Sequence, residues 1–262
     1  MKIAFSTLGC PELDFDEVLA LAAKYSYDSI ELRGIKDELD ADKMSVLRPE
    51  NRAATMEKLK KAGVSVCAID CSASFHNEGE LPRSLEECAY AVGAADEMGV
   101  PFLRVFGNSI PAGQDEKTVL DRVARGIKAA CREAHGTHVR VLLEVHGDFV
   151  TNERLLGLVE RVDDPSFGLL WDAEHTANDD FDGMYRAIAP YIAHVHLKDR
   201  TGEGRLCLPG EGILPLGHIV SLLRDGGYDG ALSLEWEKRW HPELADIDTA
   251  CRVYMELIKK SV

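Results

Sequence analysis

Eight short apolar, β-branched runs recur along this chain, and nearly all are followed by a longer amphipathic segment. The runs are KIAFST (2–7), SIELRG (29–34), VSVCAID (64–70), FLRVFG (102–107), VRVLLEVH (139–146), FGLLWD (167–172), AHVHLKD (193–199) and ALSLEWE (231–237). The amphipathic segments cover 16–25, 51–63, 84–99, 119–135, 153–162, 215–227 and 248–260. Parallel strands need a long crossover between them, and a helix is the usual one. Eight such units predict an α/β fold closed as a (β/α)8 TIM barrel. At 262 residues the chain has the usual size of one barrel, and no low-complexity stretch divides it, so a single domain over 1–262 is expected. The rival is an open doubly wound sheet. That fold usually carries a glycine-rich phosphate turn after its first strand, and STLGCPELD is not one. Gly63 and Gly99 sit where helix C-terminal glycines belong, each just ahead of a strand.

Charge and cysteine usage narrow the function. The formal net charge is −15, which argues against a nucleic-acid partner, since such proteins present basic surfaces to phosphates. Seven cysteines make an odd set with no CxxC pair, and several lie in apolar runs, as buried thiols of a reducing compartment do. No stretch reaches the length of a signal core or a membrane span, so the chain reads as cytoplasmic with no membrane partner.

In barrels of this kind the chemistry sits where strands end. The last four strands each end in one polar residue preceded by apolar ones: Glu144, Asp172, His196 and Glu235. Neighbouring strands lie about 4.8 Å apart, so four adjacent ends can converge on one ion. Three carboxylates and an imidazole suit a hard to borderline divalent metal: Mn²⁺ above all, with Mg²⁺, Co²⁺ and Zn²⁺ as alternatives. A lone strand-end glutamate is more often a salt-bridging group, and a lone histidine in an apolar strand a satisfied core residue. Four at consecutive ends outweigh that reading. Side chains alternate along a strand, so His194 faces the same way as His196, Glu237 as Glu235, and His146 as Glu144. His196 is preferred because it lies nearer the strand end, with His194 as a deeper core residue. Glu235 is preferred because it follows the apolar run directly, which leaves Glu237 and Lys238 in the rim. His146 could orient a ligand or touch substrate.

The segments LLEVHGDFVTN (142–152), WDAEH (171–175), HVHLKD (194–199), PGEG (209–212) and LSLEWE (232–237), in that order, resemble the sugar phosphate isomerase/epimerase family. These are the xylose isomerase-like barrels, a group that also includes endonuclease IV. The match is strongest in the C-terminal half. The resemblance implies that Glu144, Asp172, His196 and Glu235 are metal ligands and that Glu144 and Glu235 double as the acid/base pair. It implies that His175 contacts substrate or ligates a second metal, and that Arg205 is a substrate-binding position. The endonuclease branch needs a histidine at the end of strand four and an Asp-x-His before the Gly-Glu-Gly loop. Here those segments read FLRVFGN and DRTGEGRLCLPGEG, with neither feature, and His76 is the only remnant of an extra metal set. A three-metal nuclease is argued against.

The expected function is therefore that of a divalent-metal-dependent isomerase or epimerase of a ketose or related keto-polyol, with no organic cofactor. A Lewis-acidic ion acidifies the C–H beside the carbonyl and favours an enediolate, and two carboxylates take and return the proton. Return to the opposite face is epimerisation, and return to the neighbouring carbon is isomerisation. The alternative is a dehydratase of an inosose-like keto-polyol, which needs an acid for the leaving hydroxyl: His175, Lys198 or Glu237. A non-catalytic metal-binding barrel is the third reading. The partner is a small sugar or polyol, phosphorylated or not, and assembly into homo-oligomers stays open. Among other residues, Arg104 in strand four is expected in a core ion pair. Arg33 could line the pocket or brace Glu31. Trp240, after strand eight, could form a pocket wall or a packing contact.

Overall fold

Every run read as a strand forms one, in the expected order. A computed structural model describes residues 1–261. The strands are β1 (Lys2–Ser6), β2 (Ser29–Leu32), β3 (Ser65–Ser74), β4 (Phe102–Phe106), β5 (Arg140–Glu144), β6 (Phe167–Asp172), β7 (Ile192–Leu197) and β8 (Ala231–Leu234). They pair in parallel, each with its sequence neighbours, and β1 closes on β8. The helices are α1 (Phe15–Tyr25), α2 (Pro49–Ala62), α3 (Leu81–Met98), α4 (Glu116–Ala134), α5 (Asn152–Val162), α6 (Phe181–Ile188), α7 (Leu216–Asp225) and α8 (Ile247–Ser261). Among the described residues no helix is long and apolar enough to cross a membrane.

Local chemistry sets the helix ends. Asp14 caps α1 by accepting from the Glu17 N–H, and Glu17 reaches back to the Asp14 N–H. Gly63 and Gly99 close α2 and α3 in the left-handed conformation, with φ of 68° and 71°, where a side chain would strain the backbone. Helix α6 has no counterpart among the amphipathic segments found in the sequence. Its buried Phe181, Met184 and Ile188 keep helical spacing, but at eight residues it is too short for such a pattern to be told from a loop.

The two faces of the barrel strands carry different chemistry. Phe5, Ile30, Leu103, Val105, Val141, Leu143, Leu169, Trp171, Val195, Leu197, Leu232 and Leu234 belong to one continuous core with the helices. Each side chain of this size contributes about 1.5–3 kcal/mol relative to exposure. The alternate positions point into the barrel. There small apolar groups are few: Ala4, Cys67 and Ala231 form one cluster, and Leu142, Leu170 and Ala193 another. Other inward positions include Ser6, Glu31, Asp70, Arg104, His194 and Ser233, then Glu144, Asp172, His196, Lys198 and Glu235 toward the strand ends, all buried. The stabilising apolar layer therefore lies between sheet and helices, and the barrel interior is left for polar groups.

The loops past the strand ends are tied to one another. Gly147 has φ 61° and sits against the Asn108 backbone, where any side chain would overlap the Asn108 carbonyl. The Asp148 N–H donates to that carbonyl at 2.8 Å, and the Ile110 N–H donates to the Asp148 carboxylate at 2.7 Å. The loop carrying His146 is thus pinned to the loop after β4. Beyond β7, Asp199–Arg200 pairs antiparallel with Leu206–Cys207 as a small hairpin over the barrel end.

Candidate metal centre

Glu144 and Asp172 are the last residues of β5 and β6, His196 is the second last of β7, and Glu235 lies one step past β8. One donor atom from each lies within 4.8 Å of the others, and all four residues are buried. The four expected ligands are thus brought together as one group. His196 Nδ1 is buried without a hydrogen bond, 3.5 Å from Glu235 Oε1 and 4.0 Å from Glu144 Oε1. Three carboxylates and an imidazole nitrogen aimed at one buried spot form a costly cluster of like charge unless a cation compensates them. The donor set and the free Nδ1 fit a divalent metal ion.

A buried lysine lies among these carboxylates. Lys198, 1% exposed, holds its ammonium 2.7 Å from Asp172 Oδ2, 2.6 Å from Glu235 Oε2 and 2.5 Å from Glu237 Oε1. Burial pulls the lysine pKa down, but these carboxylates outweigh it and hold it well above its usual value. Burial pushes the Glu235 carboxyl up, yet Lys198 and His196 together hold it well below the ordinary carboxylate range. Glu144 has the opposite balance. Its burial prevails over Arg104 and raises it to about 7. His196 is raised despite burial, chiefly by Glu31 and Glu235. The two glutamates therefore differ in acidity, Glu144 standing close to neutrality and Glu235 far below it.

Around this group the other candidates divide. His146 follows β5, and burial with the nearby His175 lowers its pKa to about 4, so its ring is neutral at pH 7. It lies edge-on to His175, centroids 4.7 Å apart, and 5.2 Å from Phe106. His175 is partly open to solvent and places Nε2 3.6 Å from Asp172 Oδ2. Lys198 and His175 thus contact the four-residue group directly, and His146 adjoins it through His175. Arg205 is not brought there: its side chain is 80% exposed in the hairpin loop, with Glu203 as its ion-pair partner at 3.7 Å. Trp240 is exposed and lies beside Arg239. His76 belongs to neither cluster of potential metal ligands among the described residues.

Arg104 forms the expected core ion pair, with Nε 3.1 Å from Glu144 Oε2 and a terminal nitrogen 3.4 Å from Asp70 Oδ2. Arg33 does not brace Glu31. It lies one residue past the end of β2, and its guanidinium donates to Ser72 Oγ at 3.2 Å and Leu39 O at 3.5 Å. Glu31 instead faces His194 and His196, so His194 is part of a buried polar network. Sequence reasoning also passed over Asp199, the last residue of HVHLKD. Its buried carboxylate accepts the N–H groups of Gly210, Gly212 and Leu214 at 2.9, 3.0 and 3.1 Å, which shapes the PGEG loop. Its place at the end of the HVHLKD motif was the available signal.

Known proteins with this architecture differ in chemistry. The chain is 23% identical to an inosose dehydratase of Klebsiella pneumoniae over 94% of its own length and 92% of that protein's. A D-psicose 3-epimerase from Clostridium cellulolyticum, solved with D-tagatose, superposes with a TM-score of 0.80 at 16% identity, covering 100% of this chain and 99% of that one. An IOLI protein solved with a zinc atom superposes with a TM-score of 0.76 at 19% identity over 100% and 99% of the two chains. The description "xylose isomerase-like TIM barrel" matches residues 19–257, and the protein belongs to that family.

Proposed function

We propose that this protein is a divalent-metal-dependent isomerase or epimerase that moves the proton beside the carbonyl of a ketose or related keto-polyol. The observation that carries this reading is the convergence of Glu144, Asp172, His196 and Glu235 on one buried spot with His196 Nδ1 unpartnered. These four would hold the ion, with Mn²⁺ the favoured occupant, and a bound ion would supply Lewis acidity toward the substrate's oxygens. Asp172 and His196 act as anchors. Glu144 and Glu235 come from strands separated by β6 and β7, so they reach the substrate from two sides. Glu235, held beside the Lys198 ammonium, takes the proton at its carboxylate oxygen, and Glu144 is the second member of the pair, which returns a proton from its own side. His146 and His175 form the polar wall that contacts the hydroxyl groups, and Arg205 is assigned no role.

One observation favours a second reading, a dehydratase of an inosose-like keto-polyol. Lys198 brings a buried ammonium to the centre of the site, within hydrogen-bond reach of Glu235 and Glu237. Proton return by two carboxylates has no need of a third acid, whereas expulsion of a β-hydroxyl does. The relationship to an inosose dehydratase points the same way.

Incubation in D₂O with Mn²⁺ and a panel of ketoses and inososes separates the two readings. The expected result is deuterium at the carbon beside the carbonyl, with product of unchanged composition. An unsaturated ketone formed with loss of water would establish the dehydratase instead. Absence of exchange and of water loss across the panel would contradict both.

A further inference from the structure

We propose that Glu31 is the positioning residue that presents His196 to the metal, an inference resting on the metal-centre reading above. Strand β2 pairs with β1 and β3, so the Glu31 side chain must cross the barrel interior to reach β7. There its Oε2 lies 3.0 Å from His196 Nε2 and 2.5 Å from His194 Nε2. All three residues are fully buried. An imidazole that ligates a metal carries one proton, on its other nitrogen, and a carboxylate can only accept, so Glu31 selects the form with hydrogen on Nε2. The lone pair is then on Nδ1, the nitrogen aimed at Glu144 and Glu235. A carboxylate behind a ligating histidine fixes its tautomer and orientation and strengthens it as a ligand.

His194 completes the device. It donates to the same oxygen, and its ring packs edge-on to that of His196, at 83° with centroids 5.5 Å apart. The trio could be mistaken for a metal site of its own, since its donor atoms are also mutually close. That would require His196 to give both ring nitrogens to cations. It would also require room for an ion between Glu31 and His194, whose facing atoms are 2.5 Å apart with no space for one between them.

The test measures metal binding and ring state in the full-length protein, independent of turnover. Mn²⁺ titration of wild type, Glu31→Gln and Glu31→Asp should show binding weakened about 10–100-fold in both variants. The amide can donate as well as accept, and the shorter acid cannot span the barrel. Nitrogen-15 NMR of the zinc-loaded wild type should show the His196 proton on Nε2 and the metal on Nδ1, a result independent of whether either variant folds. Three outcomes overturn the proposal alone: the reverse ring assignment, affinity in folded Glu31→Gln within about twofold of wild type, or two ions per chain. A wild type that binds no ion overturns the metal centre and this proposal together.

Discussion

Glu235→Gln is expected to lower kcat by about 10²–10⁴-fold at saturating Mn²⁺, the usual contribution of a general acid or base. The substitution keeps size and shape but removes the basic oxygen. Lys198 retains Asp172 and Glu237 as partners, so the fold should survive. Saturating metal separates lost proton transfer from lost metal, because an amide oxygen is a weaker ligand than a carboxylate. Unaltered circular dichroism and a cooperative thermal transition would confirm an intact barrel. Normal turnover in this variant would show that the proton is carried elsewhere, and Lys198 or His146 would become the candidates.

The second large effect concerns stability. Arg104→Met should destabilise the metal-free protein by about 3–5 kcal/mol, because breaking a buried ion pair leaves charge without a partner. For a chain of this size that is a fall in Tm on the order of 10 °C. Arg104 is 1% exposed and serves both Glu144 and Asp70. Burial and the nearby Glu31 push the Asp70 carboxyl well above the ordinary range, and Glu144 is the closer of the two partners, so the penalty falls mainly on Glu144. The loss has a definite pH dependence. Glu144 is raised to about 7 in the folded state, so at pH 5 it holds its proton and needs little from the guanidinium. At pH 8 it is ionised and depends on it. Between those values the folded state binds more protons than the unfolded one, so stability from this group falls as pH rises. Denaturation of wild type and variant at pH 5 and pH 8 should show the larger gap at pH 8. An equal or larger gap at pH 5 would contradict the assignment of Glu144 as the partner that matters.

Much of this architecture is legible in the sequence because strand periodicity is local. In LLE, LLWD, HVHL and SLE the polar residue follows an apolar one that faces the helices, so alternation alone turns Glu144, Asp172, His196 and Glu235 inward. What spacing does not encode is contact across the barrel. Glu31 and His196 are 165 residues apart, and only closure of the sheet brings them together. Arg33 shows the limit of alternation: it has the parity of Glu31, but β2 ends at Leu32, and past that point the backbone no longer obeys the two-residue repeat. Arg205 shows the limit of motif transfer, since the hairpin between its flanking motifs turns it to solvent. Lys198 has inward parity too. Its ion pairs with both Asp172 and Glu235 depend on strands drawn together from three places in the chain.

The central claim is that one ion is held by the ends of four adjacent strands, and metal content tests it most directly. Wild type and Asp172→Ala, loaded with Mn²⁺ and dialysed identically, should retain about one ion per chain and almost none, respectively. Asp172 is chosen because it serves as an anchor without carrying the proton. A full equivalent retained by folded Asp172→Ala, or a wild type that retains none, would contradict the metal centre described here.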